Sequence, residues 1–277
     1  MRPIQGMNRE SPLHQNNTIV ESPLPSLQIG PYHTVSSALQ PLSFEGTLIP
    51  WSNFLRSVEH AHINQNWARS RTSRYANGPH STEADRVHIG DEHGLQGRFQ
   101  QAIGQAFGAV LEAKAINLYF ADFKSSGSNY DKTPDVVGLQ DMAGITTIKL
   151  VGELKAPWVI QHDLQSAVRR IRDLRQKIAQ PVRDMQALGC EYGFISTYNH
   201  TIFLRQFQSP SGDWEVWYSP PISSSSCYLP TVPNPQGTHL ALPHVSMKQC
   251  MLYVCTLASA ANPVNNQTVP WVIRVVR

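Results

Sequence analysis

The apolar and polar positions divide the chain into an unpatterned start and a patterned remainder. Residues 1–44 are rich in Pro, Ser, Asn and Gln and keep neither a 3.6-residue nor a 2-residue repeat, which predicts a flexible N-terminal arm with at most one extended piece. Over residues 50–68, Trp51, Phe54, Leu55, Val58, His62 and Trp67 recur at helical spacing and predict a helix. Residues 70–89 are polar, carry Gly78-Pro79 and read as a loop. Gly90-Asp91 then opens a helix to about residue 115, with Leu95, Phe99, Ile103, Phe107, Val110 and Leu111 on one stripe. Residues 116–122 are β-branched and aromatic and predict a strand. Residues 134–140 and 145–155 flank a turn at 141–144 and predict an antiparallel hairpin, ended by Pro157.

The second half opens with Leu164, Val168, Ile171, Leu174 and Ile178 at helical spacing over residues 162–178. Pro181 either kinks this helix or begins another, and Gly189 closes the helical region. Strands are expected over 191–198, 201–207 and 214–218, then a Ser- and Pro-rich loop to about 243. A helix over 244–260 and a terminal strand around 271–276 complete the chain. This order predicts one domain over 45–277, with a core of about 90–218.

Composition narrows the class without naming a task. The chain has 277 residues, 41% of them hydrophobic, which is enough for a proper core. A formal charge of +3 does not demand a nucleic-acid partner, so attraction to phosphate has to come from local clustering. No stretch approaches the roughly 20 apolar residues of a membrane span and the N-terminus has no apolar signal core, so an intracellular protein, nuclear or cytoplasmic, is expected. Cys190, Cys227, Cys250 and Cys255 lack paired C-x-x-C spacing, which argues for reduced thiols and against a zinc ribbon. His60 and His62 fall on different faces of their helix, which reads as solvated. No Gly-rich phosphate loop is present, which argues against ATP chemistry within this chain and leaves a kinase-linked role only as an accessory domain of a larger system.

The chemistry concentrates in the hairpin. In a strand, Glu153 and Lys155 emerge on one side while Leu154 turns to the other, and Asp135 begins the partner strand. Such charges among Val136, Val137, Leu139 and Val151 need pairing or a metal. Paired carboxylates suit a hard divalent cation, and a neighbouring ammonium can position water or offset negative charge. Glu92, in the first turn of its helix, either complements the helix dipole or points toward the core side.

The spaced Pro134-Asp135 and Glu153-Leu154-Lys155 resemble the PD-(D/E)xK nuclease superfamily, and the flanks resemble PD-(D/E)xK nuclease-like domains of fungal proteins. The resemblance covers roughly residues 91–207. It implies a restriction-endonuclease-like core, α+β (α/β), with a central mixed sheet flanked by helices in the order αβββαβ and extra C-terminal strands and helix. It also implies Asp135, Glu153 and Glu92 as ligands of Mg2+ or Mn2+, and Lys155 as the lysine that activates the attacking water. Glu83 and Glu112 are weaker substitutes for Glu92. Gln180 matches a glutamine that some members carry, although the tyrosine expected four residues later is Asp184 here. Arg169, Arg170, Arg172 and Arg175, with Lys124 and Lys132, are candidates for gripping phosphates, the alternative being a solvated helix face. The implied function is hydrolysis of nucleic acid, DNA first, away from membranes, with a homodimer as an open option. The alternative is a catalytically inactive module that keeps the fold and binds nucleic acid or a protein.

Overall fold

The hairpin predicted around the acidic residues is the spine of the main sheet. The computed structural model describes residues 13–36, 39–67, 71–73, 87–230 and 242–275. The main sheet has eight strands: β1 (Thr47–Pro50), β2 (Tyr119–Ala121), β3 (Val136–Met142), β4 (Ile145–Leu154), β5 (Tyr192–Ser196), β6 (His200–Gln208), β7 (Trp214–Tyr218) and β8 (Ile222–Ser223). They lie in the order β1-β7-β6-β5-β4-β3-β2, with β8 alongside β6. β4 is parallel to β5 and β7 to β1, and the other pairs are antiparallel. The helices are α1 (Asn16–Glu21), α2 (Phe54–Ile63), α3 (Glu92–Phe99), α4 (Ala106–Ala113), α5 (Leu164–Ala167), α6 (Ile171–Leu188) and α7 (Met247–Ala260). The protein is therefore α+β, a mixed central sheet flanked by helices.

Local sequence explains the hairpin. Ala143 and Gly144 both have positive φ, at 51° and 81°, which is the tight reversal that matches strand twist. The register runs from Val136 opposite Gly152 to Met142 opposite Ile145, with one irregularity between Gly138 and Leu139. The inner strands are buried on both sides. Leu150, Leu154 and Phe194 join the core beneath α3, α4 and α7, while Val151 and Ile195 join the core beneath α6. Gly152 is required: a Cβ there would lie 2.1 Å from the ring of Phe194, on the neighbouring strand.

The expected arm is largely built into the domain. Ile19, Val20 and Phe44 are buried. Lys248 of α7 donates to the Ile19 carbonyl at 3.1 Å and the Ser22 hydroxyl at 2.9 Å. Leu42–Phe44 pairs with Val272–Arg274, so the terminal strand lies outside the main sheet. A six-residue helix and short strands carry too few positions to display a period, which is why the pattern missed them. Residues 1–12 lie outside the described residues.

Other boundaries shift for identifiable reasons. Arg71–Ser73 pairs with Leu13–Gln15, and His88–Ile89 with Gln28–Ile29, at the ends of the expected 70–89 loop; Gly78-Pro79 lies outside the described residues. The single helix expected over 90–115 is α3 and α4 joined by a π-helical segment, Gln100–Gln105. The helix expected over 162–178 is broken, because Asp163 caps the short α5 and Arg170 is extended before α6 begins. Pro181 sits inside α6 without starting another helix, and Gly189 closes it in the left-handed region at φ 65°. α7 begins at Met247, where Ser246 and Gln249 form a capping box.

Candidate active site

Three elements bring four of the predicted residues together. Asp135 directly precedes β3; its Oδ2 accepts the Leu154 N–H at 2.8 Å and its Oδ1 accepts from Gln96 Nε2 at 2.6 Å. Glu153 is the penultimate residue of β4 and Lys155 follows its end, so strand alternation sets them side by side, with Nζ 2.6 Å from Glu153 Oε1. Asp91 caps α3 by accepting the Gly94 N–H at 2.7 Å, which fixes Glu92 in the first turn. Glu92 Oε1 lies 3.9 Å from Lys155 Nζ. Glu92 Oε1 is buried, so this first-turn carboxyl turns toward the core side. Gln96 is one turn further along the same face of α3, and that i,i+4 spacing was the one sign of its role in the sequence.

Burial governs the electrostatics. Glu153 is 2% exposed, and burial, followed by the charge of Asp135, pushes its carboxyl up to about 8 against the pull of Lys155. Burial also raises Asp135, opposed by the Leu154 N–H. Burial alone would lower Lys155, but Glu153, Glu92 and Asp135 outweigh it and hold the ammonium above its ordinary range. At neutral pH Glu153 therefore favours its protonated form beside a charged lysine.

The donor set suits a hard cation. Glu153 Oε2 and Glu92 Oε1 are buried with no hydrogen-bond donor, and a buried oxygen left so costs on the order of 1–3 kcal/mol. Carboxylate oxygens are the ligands that magnesium or manganese prefers. Among the described residues, however, no group of three or more His, Cys, Asp or Glu side chains is placed to hold a metal ion. Lys155 Nζ lies within 4 Å of a carboxylate oxygen of both Glu92 and Glu153.

The predicted phosphate-gripping residues separate. Arg175 is half-buried and donates to the carbonyls of Phe44 and Gly46 at 2.7 and 2.9 Å, so it pins the chain between the Leu42–Phe44 strand and β1 instead of facing solvent. Arg170 pairs with Asp173 at 2.9 Å, and Lys132 pairs with its neighbour Asp131. Arg169, Arg172 and Lys124 are exposed. Gln180 is half-buried on α6, with no hydrogen bond to the acidic cluster. Glu112 is exposed at the end of α4, away from the first turn that holds Glu92, and Glu83 lies outside the described residues.

Two further expectations are corrected or refined. His62 is buried, 2.8 Å from Glu21 and packed against the rings of Trp67 and Tyr228, so its helix face is not solvated. Asp184, where the resemblance expects a tyrosine, accepts the hydroxyl of Tyr130 at 2.6 Å across 54 positions of sequence, a pairing no local signal announces. All four cysteines are free, and burial pushes Cys190 up to about 12. Among the described residues, no helix is long and apolar enough to cross a membrane.

No protein-family model, curated protein or solved structure matches the chain.

Proposed function

We propose that this protein is a metal-dependent nuclease of the PD-(D/E)xK kind, hydrolysing phosphodiester bonds in nucleic acid, with DNA the first substrate to try. The observation that carries the reading is the convergence of Asp135, Glu153, Lys155 and Glu92 at the buried end of the hairpin, with two carboxylate oxygens left without donors. The element order supports a restriction-endonuclease-like core: α3 and α4, then the antiparallel β2, β3 and β4, then α6 crossing over to the parallel β5.

Asp135, Glu153 and Glu92 would hold Mg2+ or Mn2+, which when bound lowers the pKa of water and offsets charge on the phosphate. Asp135 is presented rigidly, since Gln96 and the Leu154 N–H fix both of its oxygens. Lys155 keeps its proton and so places a fixed positive charge where the transition state becomes more negative. Glu153 favours its protonated form at neutral pH in the free protein and would have to give up that proton to serve as a ligand. Exposed Lys124, Arg169 and Arg172 supply non-specific attraction to phosphates.

The test is cleavage of DNA and RNA with magnesium or manganese, comparing wild type with Asp135→Ala and Lys155→Ala. Metal-dependent cutting that falls on the order of 10²–10³-fold in both variants is the expected result. One observation favours a second reading, an inactive module that binds nucleic acid or a protein. Lys155 already occupies one Glu153 oxygen at 2.6 Å, and among the described residues no three ligands stand ready for a metal. Binding of nucleic acid by a wild type that never cuts would decide for it.

A further inference from the structure

The segment that follows α1 is fastened to both of the chain stretches that flank the candidate site. Gln28–Ile29 pairs in parallel with His88–Ile89, the Gly30 N–H donates to the Ile89 carbonyl at 2.9 Å, and the Thr34 N–H donates to the Gly90 carbonyl at 2.8 Å. Gly90 is two residues before Glu92. Its lack of a side chain matters, since a Cβ there would sit 2.7 Å from the Tyr32 carbonyl. On the other side, Trp158 Nε1 donates to the Thr34 carbonyl at 2.7 Å and the His33 ring packs edge-on against Trp158 at 5.5 Å. Trp158 is three residues after Lys155. Residues 28–34 thus bridge the chain entering Glu92 and the chain leaving Lys155, the two groups that meet at 3.9 Å in the site.

What this strap displays is chemically specific. Tyr32 is 91% exposed and Val35 83%, and Ile160, just past Trp158, is 83% exposed. Residues 28–36 contain no Asp or Glu, so nothing on the strap repels a phosphate backbone. The backbone that carries Tyr32 is held at both ends, while its ring is left in water. A ring presented in this way suits the flat face of an unpaired base, which stacks on aromatic side chains with little regard to sequence. The side of a duplex offers no such face, because its bases are stacked on one another.

We propose that the strap is the substrate lip of the site and selects single-stranded nucleic acid, with Tyr32 stacking on an unpaired base beside the acidic cluster. The choice of ligand rests on the nuclease reading; the placement of the strap does not.

The test measures binding by fluorescence anisotropy, with calcium in place of magnesium, using a labelled single-stranded DNA oligonucleotide and a blunt duplex of the same sequence. The wild type is expected to prefer the single strand, Tyr32→Ala to weaken that binding about tenfold without changing duplex binding, and Tyr32→Phe to retain it. Equal affinity for strand and duplex, an unaffected Tyr32→Ala, or no binding of the single strand overturns the proposal. A 91% exposed ring carries no folding role, so loss of binding is not loss of structure. Cleavage assays on the same proteins separate the two readings. Cutting that depends on Asp135 but ignores Tyr32 sinks the lip alone, whereas Tyr32-dependent binding without cutting sinks the nuclease alone.

Discussion

Asp184 and Glu153 are carboxylates of nearly equal burial, 1% and 2% exposed, and the protein treats them in opposite ways. Asp184 accepts the Tyr130 hydroxyl at 2.6 Å and Arg183 Nε at 2.9 Å, and Arg183 reaches on to Gln40 at 2.9 Å. Its donors tie α6 to the loop leading into β3 and to the N-terminal segment. Glu153 has one cationic neighbour on one oxygen and no donor on the other. Burial drives the Glu153 carboxyl up to about 8; Asp184 takes the Tyr130 hydroxyl and the Arg183 guanidinium on Oδ1 and works as a structural joint. The difference teaches that a buried acid is informative about function when its hydrogen bonding is left incomplete, since incomplete satisfaction has to be offset elsewhere.

This contrast can be broken by measurement. The largest effect is expected at Asp184: Asp184→Ala leaves Arg183 and Tyr130 without their acceptor and should cost about 2–4 kcal/mol in chemical denaturation. A loss well under 1 kcal/mol would remove the distinction between joint and site. Glu153 should respond with the opposite sign. Its folded pKa of about 8 lies above the ordinary 4.5, so the stability tied to its protonated form is whole below about pH 4.5 and is lost as pH rises through 8. Glu153→Gln, which mimics the protonated acid, should therefore flatten the fall in stability over that window and stabilise the metal-free protein at pH 8 by about 1–3 kcal/mol. Parallel stability–pH curves for variant and wild type would contradict it. The smallest effect sharpens the other side. Tyr130→Phe keeps the ring against Phe123 and removes only the hydroxyl, so about 1 kcal/mol is expected by thermal or chemical denaturation.

The sequence exposed whatever is local. Alternation along residues 145–155 placed Glu153 and Lys155 on one side, the turn residues marked the reversal, and Gly90-Asp91 announced the start of α3 with Glu92 in its first turn. Gln96 was legible in principle from its spacing to Glu92. Arg175 was not, because its partners are the carbonyls of Phe44 and Gly46, about 130 positions away, and an arginine on an amphipathic helix looks the same whether it faces solvent or backbone. The same limit explains His62, whose partner Glu21 belongs to a segment with no period to betray that it packs.

Residue spacing alone determined the hairpin, the helix that carries Glu92, and the placing of Glu153 and Lys155 on one side of their strand, because strand and helix geometry act between near neighbours and leave a period behind. Only the tertiary structure decided that Lys155 meets both Glu92 and Glu153, that Asp184 is joined to Tyr130 and Arg183, and that the N-terminal segment is fastened to both Gly90 and Trp158. Those outcomes depend on burial and on hydrogen bonds between distant segments. Both are set when the two sheet faces are covered, and no local pattern encodes them.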